Sequence, residues 1–263
     1  MKKHYDSVKV KSAVPFEPIP GEVRIQYLRP GELLHIQEKF PVAFQPVGTL
    51  EWHGRQNPLG CDAIKSENLC IEAAKKAGGV VMPLVYFAAD AIRDRGYGLG
   101  IGMDAVTGFQ LPGSFYQIPN DLLKSYIKNA CTNYLARGFK MVVIVSGHNA
   151  IAQQFLFDEL CYEMKSDEGR EPVCFTMEYA VLEENHPRRY SDHAGQYETS
   201  MMMHMTDRVN LRANDGCEIP DLAVHSRKPL SESSAEDGAE FFKLQIEGLA
   251  KFAREKYNKF ISG

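Results

Sequence analysis

Met141-Val142-Val143-Ile144-Val145 is apolar at every position, and four of its five residues are β-branched. A strand with one wet face alternates polar and apolar side chains; a strand apolar throughout has both faces covered. The run therefore predicts a strand inside a parallel sheet with helices on either side. Val42–Val47, Val80–Val85 and Val173–Met177 read as further strands of the same kind. Helix-period segments separate them. Ile64–Ala77 places Ile64, Leu69, Ala73 and Ala77 near one face and is stopped by Gly78-Gly79. Asn120–Arg137, stopped by Gly138, and Ile151–Lys165 follow, then Gly195–Asp207 and a long amphipathic closing helix over Ala235–Tyr257. Residues 1–40 are polar and irregular apart from a short helix at Pro30–Glu38, and residues 86–118 form a long glycine-rich connection, of a length that is usually functional or else conceals a misassigned element. Strands alternating with helices specify an α/β fold with a mainly parallel central sheet.

A chain of 263 residues, 44% hydrophobic, can bury a large core, and no stretch reads as a linker, so residues 1–263 are expected to form a single domain. A net charge of -4 with 24% charged residues gives no electrostatic reason to expect nucleic acid or an anionic membrane as partner. Met1-Lys2-Lys3-His4-Tyr5-Asp6 starts basic without an apolar run behind it, and no segment approaches the length of a membrane span. The expectation is a soluble, cytoplasmic protein. Its six cysteines form no C-x-x-C pair and are expected to be reduced, with Cys131 and Cys161 in the core.

The chemistry concentrates after the predicted strands. Glu51 and His53 follow Val42–Val47, and residues two apart in an extended segment point to the same side. Asp62 lies nine residues beyond His53, at the start of a helix. Read singly, Asp62 is as well explained by a helix N-cap and His53 by a hydrogen-bonded turn. His148, in Ser146-Gly147-His148-Asn149-Ala150, sits directly after the Met141–Val145 strand. Ligands in open parallel sheets bind beyond the carboxyl ends of the strands, so Glu51, His53 and His148 are expected to converge there. Asp192-His193-Ala194-Gly195-Gln196-Tyr197-Glu198 places an acid and a histidine before a predicted helix and a second acid in its first turn, which alone is ordinary dipole complementation. Two imidazoles with three carboxylates suit Zn²⁺ or Mn²⁺. One carboxylate can bridge two such ions, and a water or hydroxide held between them is a strong nucleophile near neutral pH.

These motifs together resemble the creatininase (creatinine amidohydrolase) family. Its strand-end Glu-x-His-Gly is matched by Glu51-Trp52-His53-Gly54, its Gly-x-Asp by Gly60-Cys61-Asp62, its Gly-His motif by Gly147-His148-Asn149-Ala150, and its His-Ala-Gly-x-x-Glu-Thr-Ser by residues 193–200. The resemblance runs from residue 45 to residue 200, about three-fifths of the chain. It implies a three-layer α/β/α sandwich and a homo-hexamer. It also implies two divalent ions, Zn or Mn, per chain, held by Glu51, His53, Asp62, His148 and Glu198, with Asp62 bridging and His193 as acid/base. The implied activity is hydrolysis of a non-peptide C–N amide bond in a small molecule, either ring opening of a cyclic amide or hydrolysis of a formamide. The chain departs from the family in places. Many members carry Gly-His-Gly-Gly-Asn after the strand. Creatininase itself carries an acidic ligand two residues after that histidine, where Ala150 stands here, leaving Glu198 to supply the carboxylate. Gln196 also stands where an acid is frequent.

Other features carry less. Arg95–Gly102 lacks both dinucleotide-loop spacing and a P-loop lysine, and reads as a loop near the active site. Ser114, in a Pro112-Gly113-Ser114 turn, could bind substrate, a plain turn being the competing reading. Arg188 and Arg189 read as a solvated loop before a carboxylate clamp, and His204 and Asp207 as surface. Trp52, the only tryptophan, is expected to pack behind the ligands. The alternative to an amidohydrolase is a catalytically inactive binding or scaffold protein that keeps the fold.

Overall fold

The computed structural model describes residue 14 and residues 21–90, 92–94, 99–114 and 118–262. Most of the amino-terminal stretch up to residue 20, and residues 95–98 of the glycine-rich run, lie outside the described residues. Helix α1 (Pro30–Lys39) leads into strand β1 (Val42–Val47), helix α2 (Cys61–Ala77) and strand β2 (Val80–Val81). A small hairpin, β3 (Ile92–Asp94) and β4 (Leu99–Ile101), precedes helix α3 (Met103–Thr107). Then come α4 (Asn120–Ala136), β5 (Met141–Ser146), α5 (Ile151–Glu163), β6 (Val173–Met177), α6 (Gln196–Met205) and α7 (Ala235–Ser262).

The main sheet has the order β2-β1-β5-β6 and is parallel throughout. β1 and β5 are in register from Val42 opposite Met141 to Val47 opposite Ser146, so both strands end at the same level. All six residues of each are buried. Successive side chains nevertheless part to opposite faces, as the pleat requires. Val42, Phe44, Val143 and Val145 join Leu69, Tyr197, Met201, Phe241 and Leu249 under α2, α6 and α7. Ala43, Val142 and Ile144 join Leu123, Ile127, Phe157 and Leu160 under α4 and α5. This is the helix–sheet–helix layering that the apolar runs predict. Among the described residues no helix is long and apolar enough to cross a membrane. The six cysteines are free; Cys131 is buried, whereas Cys161 is only half-buried.

Three elements differ from the sequence expectation. The Val80–Val85 strand is regular only at Val80–Val81, because Pro83 has no N–H for the ladder. The chain stays beside β1 nonetheless: Met82 N–H donates to Phe44 O at 2.8 Å and Val85 N–H to Pro46 O at 3.1 Å. The 86–118 connection holds the β3–β4 hairpin and α3, short elements without the apolar length that betrays a strand or helix. Helix α2 begins at Cys61 rather than Ile64. Gly60 is its N-cap, so Asp62 is not a cap but stands inside the first turn.

That first turn packs hard against the strand ends. Gly147, just beyond β5, donates its N–H to Val47 O at 2.9 Å. A Cβ on Gly147 would stand 2.0 Å from the Asp62 carbonyl oxygen, a position no atom can occupy. Forcing a methyl into packed space of this kind costs about 1–3 kcal/mol. Gly147→Ala is therefore expected to lower unfolding stability by about that amount in urea denaturation; an unchanged midpoint would show that α2 does not seat against β5 as described.

Candidate metal centre

Four strand-end or helix-start segments deliver the polar side chains. The loop after β1 carries Glu51 and His53, the turn after β5 carries His148, and the first turns of α2 and α6 carry Asp62 and Glu198. Acids in a first helical turn are favoured by the helix dipole. All five side chains are buried, and they meet in one place. Asp62 lies between the two histidines: Oδ1 is 3.1 Å from His53 Nε2 and Oδ2 is 3.0 Å from His148 Nδ1. Glu51 Oε2 lies 3.4 Å from His148 Nδ1, and Glu198 Oε2 lies 3.5 Å from His53 Nε2. His53 Nδ1 faces the Glu51 carbonyl at 3.2 Å. A carbonyl only accepts, so Nδ1 carries a proton; Nε2, turned to the carboxylates, donates to Asp62 while the ring is protonated and is free to bind a cation once that proton is lost. Metal-binding histidines are commonly held in this way by a backbone carbonyl.

The electrostatics point the same way. Burial would lower the His53 pKa, but Asp62 and Glu198 outweigh it and raise it to about 9. Burial likewise opposes a charged His148, and hydrogen bonding to the surrounding acids, Asp62 first, raises it well above the ordinary range. Burial would raise Glu51, yet His148 and the other two imidazoles pull it down to about 2. A field that holds protons this firmly on imidazoles also favours a divalent cation in their place. The donor set, imidazole nitrogen and carboxylate oxygen buried together, fits Zn²⁺ or Mn²⁺. Described groups with donor atoms within 4.8 Å of one another are Glu51, His53 and His193; His53, Cys61 and Glu198; and Glu51, Asp90 and His148.

His193 is half-buried beside His53, with ring centroids 4.5 Å apart. Its Nε2 lies 2.9 Å from the Trp52 carbonyl and therefore carries a proton in this arrangement. Burial, reinforced by His53, lowers its pKa. Asp192 does not orient the His193 imidazole. Its carboxylate accepts from Tyr197 N–H at 2.9 Å and Glu198 N–H at 3.2 Å, closing the start of α6. Burial and the Glu198 charge raise Asp192 to about 7. Trp52 stands outside the ligand cluster, with its indole N–H on Leu222 O at 3.1 Å and its ring packed with Met103, Leu111 and Ala223. Ser114 Oγ accepts from Trp52 N–H at 3.1 Å and does not line the cavity. Arg188 is bound to Glu240 at 2.8 Å, away from the site, and His204 and Asp207 are exposed.

Sequence reasoning misses three residues. Cys61 has no metal-site spacing to announce it, yet its thiol stands near His53 and Glu198. Asp90 lies in the connection after β2, 3.4 Å from His148 Nε2. Lys65 is completely buried, its ammonium contacting Glu198 Oε1, Glu178 Oε1 at 3.2 Å and Asp62 Oδ1 at 3.3 Å. Burial would lower the Lys65 pKa, but Glu178, Glu198 and Asp62 raise it well above the ordinary value. The only sequence signal for Lys65 is its position three residues after Asp62, which puts it on the same helix face.

Imidazoles flanking one carboxylate at the carboxyl ends of parallel strands define a candidate metal centre on an α/β scaffold. The chain belongs to the creatininase family: the family model described as creatinine amidohydrolase matches residues 27–253. Solved structures agree on the fold. A putative creatinine amidohydrolase from Bacteroides fragilis aligns with a TM-score of 0.67 at 20% identity, covering 90% of this chain and 97% of its own. A mutant creatininase described as Zn-Zn type gives 0.67 at 20% identity over 89% of this chain and 98% of its own. A creatininase described with Mn gives 0.65 at 20% identity over 89% and 98%. No curated protein sequence matches the chain.

The Lys65 cluster makes a separate prediction. Removing one partner of a buried ion pair typically costs about 3–5 kcal/mol, because the other charge is left uncompensated. Lys65→Met strands Glu178, which is fully buried. It should destabilise the metal-free protein by about that amount in urea, and Lys65→Met combined with Glu178→Gln should recover most of the loss. A single variant as stable as the wild type would contradict the pairing.

Proposed function

We propose that the chain is a metal-dependent hydrolase of a non-peptide C–N amide bond, acting on a small cyclic amide or formamide. The observation that carries this reading is the placement of Asp62, whose two oxygens face His53 and His148 in a buried pocket beyond the sheet. By family resemblance, Glu51, His53, Asp62, His148 and Glu198 would hold two divalent ions, Zn or Mn. Two such ions would supply Lewis acidity toward the amide carbonyl and lower the pKa of water to near neutrality. The resemblance further supports a homo-hexamer and one domain over the whole chain, and the composition supports a cytoplasmic location.

The chain's own residues do the rest. The cavity holds about 330 Å³ and is lined by Glu51, Asp62, Asp90, Asp192 and Glu198 among others, with no lysine or arginine among its described lining. His193 faces the same cavity with a ring nitrogen able to exchange a proton. The departing amide nitrogen needs that proton, since an amine anion is a poor leaving group, and we assign its delivery to His193. Ser114 holds the Trp52 N–H and so helps to fix the loop that carries Glu51 and His53.

A second reading follows from Lys65. Its ammonium already contacts Asp62 and Glu198, two of the proposed ligands. That favours a site with one ion, or an inactive binding protein that keeps the fold. The His193→Ala variant separates the cases. The hydrolase reading predicts unchanged metal content and a turnover reduced ~10²–10⁴-fold on whichever cyclic amide, lactam or formamide the wild type hydrolyses. Metal content and kcat measured on the same preparation decide it: lost metal makes His193 a ligand, and unchanged turnover makes it structural. A metal-loaded wild type without activity on any of those classes favours the binding protein.

A further inference from the structure

Asp90 is brought to the site by a chain of buried contacts. Gln153 is completely buried, and its Oε1 accepts from Ala89 N–H at 2.9 Å. Its Nε2 donates to Ser146 Oγ at 2.8 Å and to the His148 carbonyl at 3.2 Å. One side chain thus ties the backbone beside Asp90 to the turn that carries His148. Residues so distant in sequence are held in a fixed relation by a fully satisfied amide rather than by loop chance.

His148 itself is held at one nitrogen only. Its Nδ1 lies 3.0 Å from Asp62 Oδ2. Its Nε2 is buried, makes no hydrogen bond, and has Asp90 Oδ2 at 3.4 Å. An imidazole fixed through Nδ1–H to a carboxylate, with Nε2 turned into a cluster of acids, has the arrangement of a metal-binding histidine. The space in front of Nε2 is kept open by Gly102. A Cβ on Gly102 would stand 2.4 Å from Asp90 Oδ2 and 2.9 Å from Glu51 Oε1, so any other residue would fill the gap between the two carboxylates. Donor atoms of Glu51, Asp90 and His148 lie within 4.8 Å of one another. Donors on opposite sides of an ion at ~2.0–2.2 Å stand at most ~4.4 Å apart, so small side-chain movements close the site.

We propose that Asp90 is a metal ligand, and that the ion on the His148 side is held by Glu51, Asp90 and His148 Nε2. Asp62 Oδ2 then orients the imidazole of His148. The inference rests on the metal-dependent reading of the site and changes two parts of it, the place of the second ion and the bridging role that the resemblance gives Asp62.

The test uses full-length protein stripped of metal, with Zn²⁺ titrated against a chromophoric chelator. Asp90→Asn preserves side-chain volume, and an unchanged urea midpoint of the metal-free variant establishes that it folds. Wild type is expected to take up two ions. The variant should keep one at wild-type affinity and bind the other ~100-fold or more weakly, beyond what loss of an outer-sphere partner usually costs. A smaller loss overturns the proposal. A variant that misfolds is replaced by Gly102→Ala, whose methyl should weaken the same ion by filling the gap and pushing the Asp90 carboxylate aside; undiminished binding of both ions there also overturns it. Wild type that binds no ion at all sinks the metal reading itself, which distinguishes that failure from failure at Asp90.

Discussion

Several carboxylates have been taken out of water and crowded around one lysine and two histidines. Glu51, Asp62, Glu178 and Glu198 are all buried, and Lys65 is the ammonium among them. Each such charge costs several kcal/mol to desolvate unless a counter-charge lies close by. Lys65 supplies one positive charge shared among Glu178, Glu198 and Asp62, and the imidazoles face the remainder. Divalent cations would complete that balance. The rest of the structure can be understood as the frame that makes this crowding possible. β1 and β5 end level with each other, and the first turn of α2 is pressed between their exits through Gly147, so Asp62 is fixed between His53 and His148.

The frame is legible in the sequence because it is built from long, regular signals. The apolar run at Met141–Val145 and the glycine stops at Gly78 and Gly138 mark strands and helices whose ends fall within a few residues of those expected. The motif residues were legible as well, since Glu51, His53 and His148 follow directly on strands, and a parallel sheet brings the carboxyl ends of its strands together.

What was not legible is physically different. Val80–Val85 looks like one strand, but Pro83 withholds a donor and the ladder stops. The hairpin and α3 between residues 92 and 107 are too short to show a period. Asp90, Lys65 and Cys61 gain their meaning only from tertiary contact. Asp90 is placed by Gln153, whose sequence distance from it gives no hint of a link, and Lys65 reads on a helical wheel like any other polar residue until Glu178 is seen opposite it. Asp62 shows the reverse case: helix α2 starts earlier than its apolar pattern, and a residue explicable as a cap proves to be inside the first turn and buried among the site's side chains.

The account stands on the claim that this pocket takes two divalent ions despite the ammonium of Lys65. The most direct measurement is anomalous diffraction from crystals of the wild-type protein soaked with Zn²⁺, collected at the zinc absorption edge. The account predicts two peaks per chain in this cavity, one against His53 and Glu198 and the other against His148 and Glu51. No peak, or a single peak with the Lys65 ammonium in the second position, would contradict it.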